Sequence, residues 1–168
     1  METKQPEEVY LGVTIDARGR VLLIERQKPE AGKCNALLRW AFPGGRQEAQ
    51  ESPKECVARE IRKETGHHVI VGRLIDTWKH PDFPEKCIWY FLCRPLARGQ
   101  DEIEERHEVK QARWIPAAEV PTLVTSRLNP KVAKLLAGVA ANVSGRSRLR
   151  KKPKCVRLKR ACRTAQRR

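Results

Sequence analysis

The stretch 45–67, GRQEAQESPKECVAREIRKETGH, constrains the fold of this 168-residue chain more than any other. It carries its own start and stop signals for one helix. Ser52 suits the N-cap and Pro53 the first helical position, where its missing N–H is harmless; Glu55 completes a capping box. Gly66 suits a left-handed residue just past the C-terminal end. Val57 and Ile61, four apart, predict a packed face. Glu60, Lys63 and Glu64 lie at i, i+3 and i+4 and are assigned to the opposite face. The spacing thus predicts a short helix that packs on one side and presents charged groups on the other. The turn residues Pro43-Gly44-Gly45 lead into it.

Around this helix the chain reads mainly as strands. Positions 9–15 and 21–25 flank Asp16-Ala17-Arg18-Gly19 and predict a hairpin. Further strand signals fall at 37–42, 69–78, 87–93 and 109–115, while 132–141 reads as a helix started by Asn129-Pro130. A mixed sheet with helices on its faces follows, an α/β (α+β) class. No apolar run is long enough to span a bilayer, and METKQPEEVY has no signal-peptide core. A soluble, cytoplasmic protein with no membrane partner is expected. The six cysteines (Cys34, Cys56, Cys87, Cys93, Cys155, Cys162) form no C-x-x-C pair and read as reduced thiols.

The net charge of +15 is unevenly spread. Positions 145–168 carry 12 Lys and Arg and no acid, leaving 23 bases and 20 acids, or +3, for 1–144. The expected organisation is a folded domain over 1–144 and a basic tail over 145–168, too poor in apolar residues to fold alone. Such a tail suits non-specific contact with nucleic-acid phosphates, or a nuclear import signal in a eukaryotic or viral setting. It contains no aromatic residue for base stacking.

Gly45, Glu51, Arg59, Glu60, Ile61, Glu64 and Gly66 stand at the offsets of G-x5-E-x7-R-E-U-x-E-E-x-G-U, where U is aliphatic. The stretch therefore resembles the Nudix box, and Trp40-Ala41-Phe42-Pro43-Gly44 is similar to the usual approach to it. The resemblance implies an α/β/α sandwich with a loop–helix–loop motif. It also implies Mg²⁺-dependent hydrolysis, with Mn²⁺ as a substitute, of a nucleoside diphosphate linked to another moiety. Metal ligands would come from Glu60, Glu64 and the Gly45 carbonyl, while Arg59 and Glu51 support the acidic cluster. A further glutamate from a loop outside the box is implied. Glu105, as ligand, and Glu108, as base, are the candidates in the acidic stretch 101–108 before Trp114-Ile115-Pro116. Mg²⁺ fits such groups, since it binds through one or two carboxylates plus substrate phosphates.

Two positions depart from the pattern: Lys63 replaces the first Glu of the pair, and His67 the last aliphatic residue. A cation roughly 6 Å from a divalent ion opposes it by roughly 5 kcal/mol at an effective dielectric near 20. Two classes stay open: a hydrolase, or a nucleotide- or RNA-binding protein of the same fold silenced at Lys63. Among hydrolases a nucleoside triphosphate-type substrate is favoured. ADP-ribose, suggested by Pro81, and RNA 5′ ends, suggested by the tail, are the alternatives. Trp40, Trp78, Trp89 and Tyr90 are stacking candidates that read first as core. His67 and His68 read as helix-end groups. A homodimer is compatible with the resemblance, though no residue demonstrates it.

Overall fold

The computed structural model describes residues 6–31, 37–80, 83–97 and 100–149. Its strands divide between two sheets. The first has β1 (Glu7–Thr14) parallel to β6 (Lys86–Pro95), with β5 (Val69–Lys79) antiparallel to β6 and the short β4 (Gly44–Gly45) antiparallel to β1. The second is antiparallel, with β2 (Arg20–Ala31) between β3 (Leu37–Ala41) and β7 (Val109–Pro116). The expected mixed sheet is present and gains a smaller partner.

The hairpin expected around 16–19 forms only at its turn. Asp16 Oδ1 accepts from the N–H groups of Arg18 and Arg20, at 2.9 and 2.8 Å, and Gly19 takes φ +74°. Beyond one bridge, Ile15 with Val21, the strands separate into different sheets. The reason lies in their burial. Val13, Val21, Leu22 and Leu23 are all inaccessible, and a two-stranded ribbon cannot cover both of its faces. Splitting the pair lets Val13 and Val21 face one core together with Leu23, Ile75, Ile88 and Ile115.

A second core lies under α1 (Pro53–Thr65), where Val57, Ile61 and Cys56 meet Tyr10, Leu22 and Phe91. The capping box forms as read: Ser52 Oγ accepts from Glu55 N–H at 3.3 Å, and Glu55 Oε2 from Ser52 N–H at 2.8 Å. Gly66 closes the helix at φ +69° and donates to Arg62 O at 2.8 Å. The helix lies close on β1 because Gly12 has no side chain; a Cβ there would stand 2.4 Å from Ile61 Cδ1.

After the short α2 (Val120–Leu123), α3 (Pro130–Leu149) packs Val132 and Leu136 on the inter-sheet core. It outruns the expected 132–141 and takes in the first residues of the basic tail. Residues 150–168, with Cys155 and Cys162, lie outside the described residues, as do Cys34 and Pro81. Cys56 and Cys93 are free and buried, and burial pushes both thiols up to about 12. Among the described residues no helix is long and apolar enough to cross a membrane.

Candidate active site

Glu60 and Glu64 are buried, at 9% and 6% exposure, on the flank of the packed face of α1. This corrects the opposite-face expectation. At about 100° per residue, Glu64 stands only about 20° from Val57, and Glu60 about 60°. Packing Val57 and Ile61 therefore carries both acids inward. Glu64 Oε2 accepts from the Gly44 N–H at 2.8 Å, and Glu60 pairs with Arg59 Nη1. Burial first, then repulsion from Glu60 and Glu105, nevertheless pushes the Glu64 carboxyl up to about 8.

The glycines of β4 let the main chain reach these acids. Gly44 has φ +147°, and a Cβ there would stand 2.1 Å from Tyr10 O. One at Gly45 would stand 2.9 Å from Glu60 Cδ. A two-residue strand at Pro-Gly-Gly is invisible to pattern reading, which takes these residues as a stop signal.

Arg59 and Glu51 form a bidentate pair, Nε to Oε1 at 2.7 Å and Nη2 to Oε2 at 2.8 Å. Hydrogen bonding to Arg59 holds the Glu51 carboxyl below the usual range. Arg59 Nη2 also donates to Arg46 O at 3.1 Å, and Glu51 Oε2 accepts from Glu48 N–H at 3.1 Å. These bonds tie the 45–51 loop to the helix. Neither residue lines the cleft described below; Arg59 touches Glu60 from outside it.

The acidic stretch is docked on the C-terminal end of α1, where helix carbonyls lack intrahelical partners. Glu104 N–H donates to Lys63 O and Asp101 N–H to Gly66 O, both at 2.8 Å, and Gln100 Nε2 donates to Thr65 O at 3.0 Å. Arg62 pairs with Glu104 at 3.1 Å and His68 with Asp101 at 2.8 Å. His67 Nδ1 meets Thr65 O at 2.9 Å while its Nε2 accepts from Trp114 Nε1 at 3.1 Å. Both histidines are thus helix-end groups. The docking brings Glu105 near the helix acids: burial, then Glu60, raises its carboxyl pKa. Glu108 is two-thirds exposed and pairs with His107 at 3.4 Å.

Between the sheets runs a cleft of about 580 Å³, within the size range of small-molecule sites. Gly44, Gly45, Glu60, Glu64, Glu105 and Glu108 line it, together with Trp40, Tyr90 and Phe83. A NUDIX domain model matches residues 7–137. The chain belongs to the NUDIX hydrolase family. An 8-oxo-dGTP diphosphatase of Proteus vulgaris is 34% identical over 108 residues, covering 63% of this chain and 89% of that one. A Bacillus subtilis relative, named for ADP-ribose pyrophosphatase activity it is thought to have, is 31% identical over 144 residues. That match covers 79% of this chain but 64% of the relative, just under two thirds of its length. Among solved structures, a NUDIX hydrolase of Nitrosomonas europaea superposes with a TM-score of 0.61 at 20% identity, covering 82% of this chain and 90% of that one.

A divalent cation suits this Nudix cleft on its own chemistry. Buried carboxylates repel one another there, and the missing Cβ of Gly45 leaves room beside Glu60. Among the described residues no three acid, imidazole or thiol groups are gathered closely enough to enclose a metal alone. Mg²⁺ does not need that, because it keeps waters and takes substrate oxygens.

Arg26 was missed by sequence reading. It lines the cleft, its charge lowers the pKa of Glu64, and its buried Nε has no hydrogen-bond partner. The strand signal stops at Glu25, whereas β2 runs on to Ala31 through a bulge at Glu25/Arg26. The bulge re-aims the side chain, which no alternation pattern registers. Of the stacking candidates, Trp40 and Tyr90 line the cleft, whereas Trp78 and Trp89 pack against the two cores.

Proposed function

We propose that the protein hydrolyses a nucleoside diphosphate linked to another moiety, with a nucleoside triphosphate-type substrate, in a Mg²⁺-dependent reaction. The observation that carries this reading is one cleft lined by Glu60, Glu64, Glu105 and Gly45 beside Trp40 and Phe83. Glu60, Glu64, Glu105 and the Gly45 carbonyl would hold Mg²⁺, or Mn²⁺ in its place. Bound there, the cation would supply charge neutralisation for the phosphates and polarise the attacking water. Arg26, which lines the cleft and pairs through Nη1 with Glu30 at 3.2 Å, would offer its guanidinium to a phosphate oxygen. Trp40 offers an aromatic face to a base, and Glu108, solvated at the rim, is the candidate to take the proton of the water. Arg59 and Glu51 keep Glu60 in place. The name of the Proteus relative favours a nucleoside triphosphate, and that of the Bacillus relative favours ADP-ribose as the second substrate to test.

The test is turnover with and without Mg²⁺ on nucleoside triphosphates, oxidised nucleoside triphosphates, ADP-ribose and 5′-triphosphate RNA. Glu64→Gln keeps the shape of the side chain and removes its charge. Losing several kcal/mol of charge stabilisation, it is expected to lower kcat by roughly a hundredfold or more. Metal-independent turnover, or a Glu64→Gln variant as fast as the native protein, would refute the reading.

A further inference from the structure

Glu30 holds two cations of the cleft at once. Its Oε1 accepts from Lys86 Nζ at 3.3 Å, and its Oε2 lies 3.2 Å from Arg26 Nη1. Arg26 and Glu30 stand on β2, and both line the cleft. Lys86 opens β6 in the other sheet and lines the cleft too, so the Glu30–Lys86 pair crosses from sheet to sheet. The Lys86 ammonium also sits 4.8 Å from the centre of the Phe83 ring, another part of the lining. One carboxylate thus occupies, with a separate oxygen for each, two groups suited to phosphate.

We propose that Glu30 is a specificity-determining residue: an internal stand-in for phosphate that keeps Arg26 and Lys86 occupied until a ligand with two or more phosphate groups displaces it. The inference rests on the phosphate-binding reading of the cleft given above. The geometry allows the exchange. The side chain of Glu30 is 34% exposed, so its carboxylate can turn into water without being stranded in the core. Ion pairs this accessible are weak, each changing an equilibrium by no more than about fivefold. A diphosphate carries more charge than one carboxylate and presents several oxygens to Arg26 and Lys86 together, so it outcompetes Glu30. A nucleoside without phosphates has no charge to exchange and leaves the pairs in place.

The experiment measures ADP binding by titration calorimetry on the full-length native chain, Glu30→Gln, Lys86→Met and the double variant, in metal-free buffer and again with Ca²⁺. Glu30→Gln removes the competing charge at nearly equal size and is expected to lower the Kd for ADP by about three- to tenfold. In the Lys86→Met background the same change is expected to gain only about twofold, the share left to Arg26. A gain of equal size in both backgrounds overturns the proposal, because it marks a general charge effect and not the release of Lys86. Unchanged or weaker ADP binding in Glu30→Gln overturns it as well, while ADP binding by the native chain leaves the reading of the cleft standing. No ADP binding by any of the four chains under either condition overturns that reading too.

Discussion

Gly45 and Glu60 occupy space that one methyl group would contest. A Cβ at 45 would meet the Glu60 carboxyl carbon at 2.9 Å, so the side chain must turn away or the strand must yield. Gly45→Ala is therefore expected to leave the thermal midpoint nearly unchanged and to lower kcat/KM by roughly tenfold, since a small misplacement of a reacting group is costly. A stopped-flow assay beside a melting curve checks both halves. The same residue scale explains how the Glu64 carboxyl is accommodated although it is buried. Its partner is the N–H of Gly44, which reaches it because Gly44 adopts a φ of +147°.

At the scale of elements, α3 depends on a buried cap. Asn129 is fully buried; its Oδ1 accepts from the N–H groups of Lys131 and Val132 at 2.8 and 3.1 Å, and its Nδ2 donates to Asp76 Oδ2 at 3.0 Å. Asn129→Ala removes the cap and orphans these groups, and is expected to cost about 1–3 kcal/mol, read from urea denaturation. Asp76 anchors the same helix start. Hydrogen bonds from Lys131, at 2.7 Å, and from Asn129 hold its carboxyl below the ordinary aspartate range. A depressed folded value stabilises above the unfolded value, about 3.9, and that contribution is lost as pH falls through the folded value. The stability gap between the native protein and Asp76→Asn should therefore narrow below about pH 4, and urea midpoints across pH 3–6 test it.

For the whole molecule, charge is the outstanding feature. Twelve of the 35 Lys and Arg fall in 145–168, where there is no acid. If the tail contacts 6–10 phosphates, nucleic-acid binding by the full chain should weaken by roughly a thousandfold or more between 50 and 200 mM salt. Fluorescence anisotropy with a labelled RNA measures this, and a flat salt response would exclude tail-driven binding. The cleft is also a property of the whole. Its lining comes from β1, β2, β3, β4, β6 and α1, from the segments before β6 and β7, and from the α2–α3 connection.

Local signals were legible without coordinates. The caps of α1, the seven matching box positions and the acidic stretch 101–108 each follow from neighbours a few residues apart, and together they pointed to the family and to Glu60, Glu64 and Glu105. The start of α3 was legible for the same reason. What tertiary structure decided were relations between distant segments. Strands that share a tight turn went to separate sheets, because Val13 and Val21 both needed a core on a face that a hairpin would leave wet. Arg26 entered the cleft through a bulge in β2. Gly44-Gly45 became a strand only because Tyr10 and Leu11 lay beside it. Lys63 shows the division most clearly. Its place in the box is read from spacing, but the direction of its ammonium depends on where the 100–108 loop docks, and helix carbonyls some forty residues earlier set that position.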